Sequence, residues 1–154
     1  MKKNYIIIIL FIFTTSCGYE AIYSKKNRLI NTDFSITKVY LNGDRDLNIQ
    51  IKKGLDNYNR VGKNKNYTLN ITTESLRTII ANDSKGDPSI YKLQVIVIVS
   101  AKAEDNKNIK IELIENFKYN NIQDKFELER SEREIKNNLA ETITRKLLSE
   151  LISF

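Results

Sequence analysis

The chain has 154 residues, with 25 basic against 19 acidic side chains, no histidine, no tryptophan, one proline and one cysteine. Lacking histidine and having a single thiol, it is without the commonest general base and nucleophile, cannot close an internal disulfide, and lacks the usual ligands of a zinc site. Basic and acidic residues alternate through much of the chain instead of forming the single-signed stripe a polyanion needs, so no nucleic-acid partner is expected.

The amino terminus reads as an export segment. Lys2 and Lys3 precede an apolar stretch from Tyr5 to Phe13, followed by the small polar residues Thr14, Thr15 and Ser16 and then Cys17. Charge, apolar core and small residues in that order mark a cleavable signal, and the core is far shorter than the roughly 18 apolar residues a membrane span requires. A lone cysteine directly after such a core predicts acylation: residues 1–16 form a lipoprotein signal peptide and Cys17 carries the lipid. Thr14 stands where the lipobox usually has Leu, Val or Ile, which leaves an ordinary signal peptide or an uncleaved anchor as alternatives. Gly18, in place of Asp after the cysteine, favours the outer membrane. Loss of Lys2 and Lys3 leaves 23 basic against 19 acidic residues, a mildly basic product of a size suited to one core.

Residues 17–33 are polar and irregular and predict a tether, leaving 34–154 as a single domain. Phe34, Ile36, Val39, Tyr40 and Leu41 mark a first strand. Asn42, Gly43 and Asp44 are turn and capping residues, and Leu47, Ile51, Leu55 and Tyr58 then recur at helical spacing, predicting an amphipathic helix over about 45–59. After a polar loop, Tyr67, Leu69 and Ile71 alternate with Thr68, Asn70 and Thr72, and the alternation runs on less cleanly to Ile80. A second strand over 67–81 is therefore expected to project beyond the core as a ribbon.

The run from Asn82 to Pro88 is a dense turn signal. A third strand follows over 89–104, apolar on both sides from Leu93 to Val99 except for Gln94, which predicts a central place in the sheet with both faces covered by helices or a partner. After the turn at 105–108, Ile109, Ile111, Leu113 and Phe117 share one face of a fourth strand, and Lys110, Glu112, Asn116 and Lys118 the other. Ile135, Leu139, Ile143, Leu147 and Leu151 repeat every four residues in a long closing helix over 125–151, its stripe widened by Leu128, Leu148 and Ile152. The charges of its first half, Glu127 to Lys136, are placed to pair along the helix and read as a solvated face. The fold class is α+β: a two-layer sandwich of a four-stranded mixed sheet, with strands two to four antiparallel, and two helices on one face.

Nothing in this pattern assembles a catalytic site. Carboxylates two apart on a helix, such as Glu127 with Glu129 or Glu132 with Glu134, point in different directions, and no glycine-rich loop follows a strand. No enzyme activity, cofactor or metal is expected.

The order of features resembles the LptE family of lipopolysaccharide-assembly lipoproteins of Gram-negative outer membranes, in its alphaproteobacterial form. Cys17-Gly18-Tyr19 and Ile22-Tyr23 are similar to the family's start, with Ala21 and Ile22 in place of Pro and Leu, and the segment from Leu139 to Leu148 is similar to its end. The likeness extends over nearly all of 17–154 and rests on the combination, since no one motif is specific. It implies a lipid-anchored plug on the periplasmic side of the outer membrane, seated in an LptD-like β-barrel and contacting lipopolysaccharide. The basic residues associated with that contact map onto Lys85 and Lys125, with Lys118 as a further candidate. A different class of function remains open, a periplasmic lipoprotein that binds a hydrophobic ligand or acts as a chaperone between sheet and helix, without a barrel partner.

Overall fold

The computed structural model of the chain describes residues 33–59, 64–105 and 107–153. The signal segment, Cys17 and the tether up to residue 32 lie outside the described residues. The elements run β1 (Phe34–Gly43), α1 (Arg45–Leu55) with a single 3₁₀ turn at Asp56–Tyr58, β2 (Lys65–Asn82), β3 (Pro88–Ala103), β4 (Asn108–Asn120) and α2 (Lys125–Ser153). The sheet order is β1-β2-β3-β4, with β1 parallel to β2 and the other two pairings antiparallel. This is the expected open, mixed four-stranded sheet with two helices. The first helix stops at Leu55, short of the expected end, and Tyr58 instead stacks on Phe34 with ring centroids 5.6 Å apart.

Alternation decides which sheet face is covered. Leu69, Ile71, Leu93, Val95, Val97, Val99 and Ala101 point to the helices and are at most 2% exposed. Against them pack Leu47, Ile51 and Leu55 of α1 and Leu139, Ile143, Leu147 and Leu151 of α2. Ile152, expected on the same stripe, is 58% exposed, because in the last turn of α2 it is Leu151, fully buried, that faces the core. The other face of the sheet carries no helix among the described residues. Ile96 is only half-buried and Ile98 is exposed, so the two-sided apolar character of β3 leaves an open face instead of a second covered one.

Polar fasteners fix α2 over this core. Near its start Glu132 accepts from the Tyr119 hydroxyl at 2.6 Å and from Arg77 at 2.9 Å, and further along Lys146 pairs with Glu115 of β4. The two helices touch where Gly54 faces Thr144: a Cβ at Gly54 would lie 2.8 Å from Thr144 Cγ2. That methyl is held in place, because the Thr144 hydroxyl donates to the Ala140 carbonyl at 2.7 Å. Alanine in a helix ordinarily gains up to about 1 kcal/mol over glycine, yet Gly54→Ala is expected to cost about 1–2 kcal/mol through overpacking. Adding Thr144→Ser, which removes the methyl and keeps the hydroxyl, should recover most of the loss in a denaturant titration; additive effects of the two changes would refute the contact.

Candidate functional site

The expected contact residues gather at one end of the sheet, around the turn that joins β2 to β3. In that turn the Asp83 carboxylate accepts from the backbone N–H of Lys85 at 2.8 Å and of Asp87 at 2.9 Å, and Gly86 takes φ +89°. The turn backbone is therefore held from within, while the Lys85 side chain stands in solvent. Lys118 lies opposite Lys92 on the open face, in one cross-strand row with Thr78. Two cations directly opposite on adjacent strands repel, so sheet stability does not account for this pair.

Lys125 reaches the same end because β4 finishes beside the turn. The backbone N–H of Asn121 donates to Ser89 O and its side-chain amide to Pro88 O, both at 2.8 Å, and α2 begins four residues later. Asp124 caps that helix, its carboxylate accepting from the N–H of Phe126 at 2.8 Å and of Glu127 at 3.3 Å. A cation in the first turn opposes the helix dipole, so Lys125 is not placed there for the helix.

Exposed apolar side chains stand at the same end on both sides of the sheet, Ile79 and Phe117 in the rows of Tyr91 and Leu93 on the helix side and the two paired lysines on the open face. Ile79 is 57%, Ile80 44% and Phe117 50% exposed, and Phe126, on the first turn of α2, is 84% exposed. Cations and exposed aliphatic and aromatic groups at one end of the sheet are the kinds of group that an amphiphile with an anionic head contacts. Lys92 and these apolar neighbours are the members that sequence reasoning missed. The partner of Lys118 follows from strand register, which residue spacing along one strand does not report.

Beneath the cations lies a cluster that stiffens the projecting end. Arg77 sits 4.9 Å from the centroid of Tyr91, whose ring stacks on Tyr119 with centroids 5.7 Å apart, and Glu132 joins Arg77 to the Tyr119 hydroxyl. Burial, reinforced by the Glu132 carboxylate, pushes the Tyr119 phenol above its ordinary range, so it remains a hydrogen-bond donor at any physiological pH. Part of the charge run on α2, expected to be solvated, is thus spent on docking: Glu132 here, and Lys136, which reaches Asp44 at 3.0 Å.

Among the described residues no three carboxylates, cysteines or histidines converge as a metal cage would, and no helix is long and apolar enough to cross a membrane. Between sheet and helices, where a hydrophobic ligand would have to sit, Leu47, Ile51, Leu69, Val97 and Leu147 are each fully buried. Cys17 lies outside the described residues.

No protein-family model matches the sequence, and comparison with curated proteins finds no match. Solved structures do resemble it. Rare lipoprotein B of Shewanella oneidensis superposes with a TM-score of 0.56 at 15% identity, covering 75% of this chain and 97% of that one. A minor lipoprotein of Acinetobacter baumannii gives 0.52 at 18% identity, covering 75% and 93%. The fold is shared with bacterial lipoproteins. At these identities the likeness is one of architecture, and it extends over almost the whole of both lipoproteins.

Proposed function

We propose that this chain is an outer-membrane lipoprotein of the LptE type, anchored through Cys17, which plugs and helps assemble an LptD-like β-barrel and assists delivery of lipopolysaccharide. The observation that carries the reading is the tip of the sheet. Lys92 and Lys118 stand side by side on the open face, Lys85 lies in the turn beyond them and Lys125 opens α2 at the same end, which also carries exposed Ile79, Ile80, Phe117 and Phe126, groups suited to phosphates joined to acyl chains. The open sheet face supports the plug. Asn70, Thr72, Ser100, Lys110, Glu112 and Asn116 project from it, polar groups able to bond to a barrel's polar interior, and the packed core beneath makes it a rigid wedge.

Two measurements test this. From native membranes, the chain tagged after its last residue should bring down a large outer-membrane β-barrel in about one-to-one amount; repeated absence of such a barrel would sink the plug. With purified lipopolysaccharide, Lys85→Glu should weaken binding severalfold, and the triple change Lys85→Glu, Lys118→Glu, Lys125→Glu by at least about tenfold at low salt, with the difference shrinking as salt is raised. Unchanged affinity of the triple variant would remove these lysines from the site.

A further inference from the structure

Asn42 and Gly43 form the only Asn-Gly pair in the chain, and they sit where β1 ends. The backbone on either side of the pair is tied to β2. The Asn42 carbonyl accepts from the Thr73 hydroxyl at 3.2 Å, and Asp44 N–H donates to the Thr73 carbonyl at 3.1 Å. Successive amides of a strand point to opposite sides, so the Gly43 N–H turns away from β2, toward the outer edge of β1, where no strand lies among the described residues. Its acceptor is the side chain of the residue before it, Asn42 Oδ1 at 3.0 Å.

That contact holds a backbone nitrogen against a side-chain amide with no ladder bond competing for it. Asn42 is exposed, and among the described residues its amide nitrogen has no hydrogen-bond partner. Gly43 has no Cβ to hinder the approach, and the position excludes residues that have one, because a Cβ would lie 1.9 Å from the Thr73 carbonyl oxygen. Other exposed asparagines of the sheet lack this access. Ile71 follows Asn70 and Phe117 follows Asn116, so a β-branched or aromatic side chain stands beside the following nitrogen. Two reacting groups that the fold keeps together are spared the entropy cost of meeting.

We propose that Asn42 is a site of spontaneous covalent modification, at which the Gly43 nitrogen closes on the Asn42 side-chain carbonyl carbon and water then converts the residue to isoaspartate. In the first step the Gly43 nitrogen gives its proton to solvent and bonds to Cγ, and the Asn42 amide nitrogen leaves as ammonia, closing a five-membered imide. In the second step water adds to one imide carbonyl and breaks its bond to the Gly43 nitrogen. Breakage at Cγ gives aspartate in an unaltered backbone. Breakage at the backbone carbonyl gives isoaspartate, whose main chain runs through Cβ and Cγ; the Thr73 hydroxyl, which donates to that carbonyl, favours this route by stabilising the charge that develops on its oxygen. The product lengthens the main chain by one atom just before Gly43. Asp44 then loses its position, in which its N–H meets the Thr73 carbonyl while its carboxylate caps α1 and holds Ser75 and Lys136. Ageing thereby unfastens the β1–α1 corner.

The full tagged chain, purified and aged in mildly alkaline buffer, tests this by peptide mapping that separates asparagine, aspartate and isoaspartate. Asn42 should convert at least about tenfold faster than Asn70 and Asn116, and its rate in the folded chain should lie within about threefold of that in urea, because the folded edge keeps the reacting groups together. A slower folded rate than that, or conversion no faster than at the other two asparagines, overturns the proposal. Molecules carrying isoaspartate, isolated from the aged sample, should have a folding equilibrium constant at least about tenfold below that of the unaltered chain, as loss of the Asp44 cap requires. Asn42→Asp, which adds the charge without the extra main-chain atom, should stay close to the unaltered chain. Equal stability of the isoaspartate and unaltered molecules overturns the unfastening of the corner.

Discussion

Gly43→Ala is expected to destabilise the domain by about 3–5 kcal/mol, a large share of the 5–15 kcal/mol that holds a typical domain together. Two effects combine. Gly43 has φ +98°, a conformation that costs residues with a Cβ about 1–3 kcal/mol. In addition, that Cβ would lie 1.9 Å from the Thr73 carbonyl oxygen, which is backbone and cannot swing aside. Relief requires moving the end of β1 from β2, which breaks the bond from Asp44 N–H to the same carbonyl. Gly86 supplies the internal control: φ is +89° there, but a Cβ would meet nothing within 4 Å, so Gly86→Ala should cost only the conformational part, about 1 kcal/mol. Equal losses at the two glycines in a urea titration would refute the steric account.

The residue after Gly43 carries the second large effect. Asp44 caps α1, its Oδ1 accepting from the N–H of Asp46 at 3.0 Å and of Leu47 at 3.2 Å, while Oδ2 accepts from Ser75 Oγ at 2.6 Å and Lys136 Nζ at 3.0 Å. One carboxylate thus ties the β1–α1 corner to β2 and to α2. Loss of an N-cap costs about 0.5–2 kcal/mol, and loss of one partner of a half-buried ion pair adds to it. Asp44→Ala should therefore cost about 2–4 kcal/mol, and Asp44→Asn less, since the amide still caps the helix. The carboxylate also sets an acid limit. Burial alone would raise its pKa, but hydrogen bonds from Ser75, Lys136 and the Leu47 N–H outweigh burial and hold it at about 2, against 3.8 in the unfolded chain. The folded value is the lower one, so the contribution is complete above pH 3.8 and is lost as pH falls toward 2; the difference corresponds to about 2 kcal/mol. Asp44→Asn should flatten this part of the stability profile, and an unaltered acid limb in the variant would show that other carboxylates set it.

Both changes act at the corner that ends β1, and that corner also exposes the rest of β2. Because Gly43 and Asp44 turn the chain into α1 at Thr73, the β2–β3–β4 ribbon continues alone to the tip, with Lys92 and Lys118 on its open face and Lys85 in its turn. On the proposed plug reading, a variant that loosens the corner should weaken barrel recovery along with stability, whereas the lysine changes at the tip should leave thermal stability within about 0.5 kcal/mol. Measuring both properties separates the fold from its proposed contacts.

Element types and order were determined by the sequence alone, because period-2 alternation and four-residue leucine spacing are local signals that survive without tertiary context. Leu69 and Ile71 against Asn70 and Thr72 define a two-faced strand in any setting, and Leu139 to Leu151 define a buried helix stripe. The tertiary structure decided what each face meets. Local apolarity in β3 was equally compatible with a sheet covered on both sides, and only the placement of both helices on one side left Ile98 and its neighbours open. Register placed Lys92 opposite Lys118, the path of the chain after Asn120 started α2, with Lys125, at the end of the sheet where Asn121 bonds to Pro88, and packing turned Glu132 and Lys136 from apparent surface charges into fasteners. These contacts join residues far apart in the chain, and the energies that select them exist only once the sheet has formed and α2 lies across it.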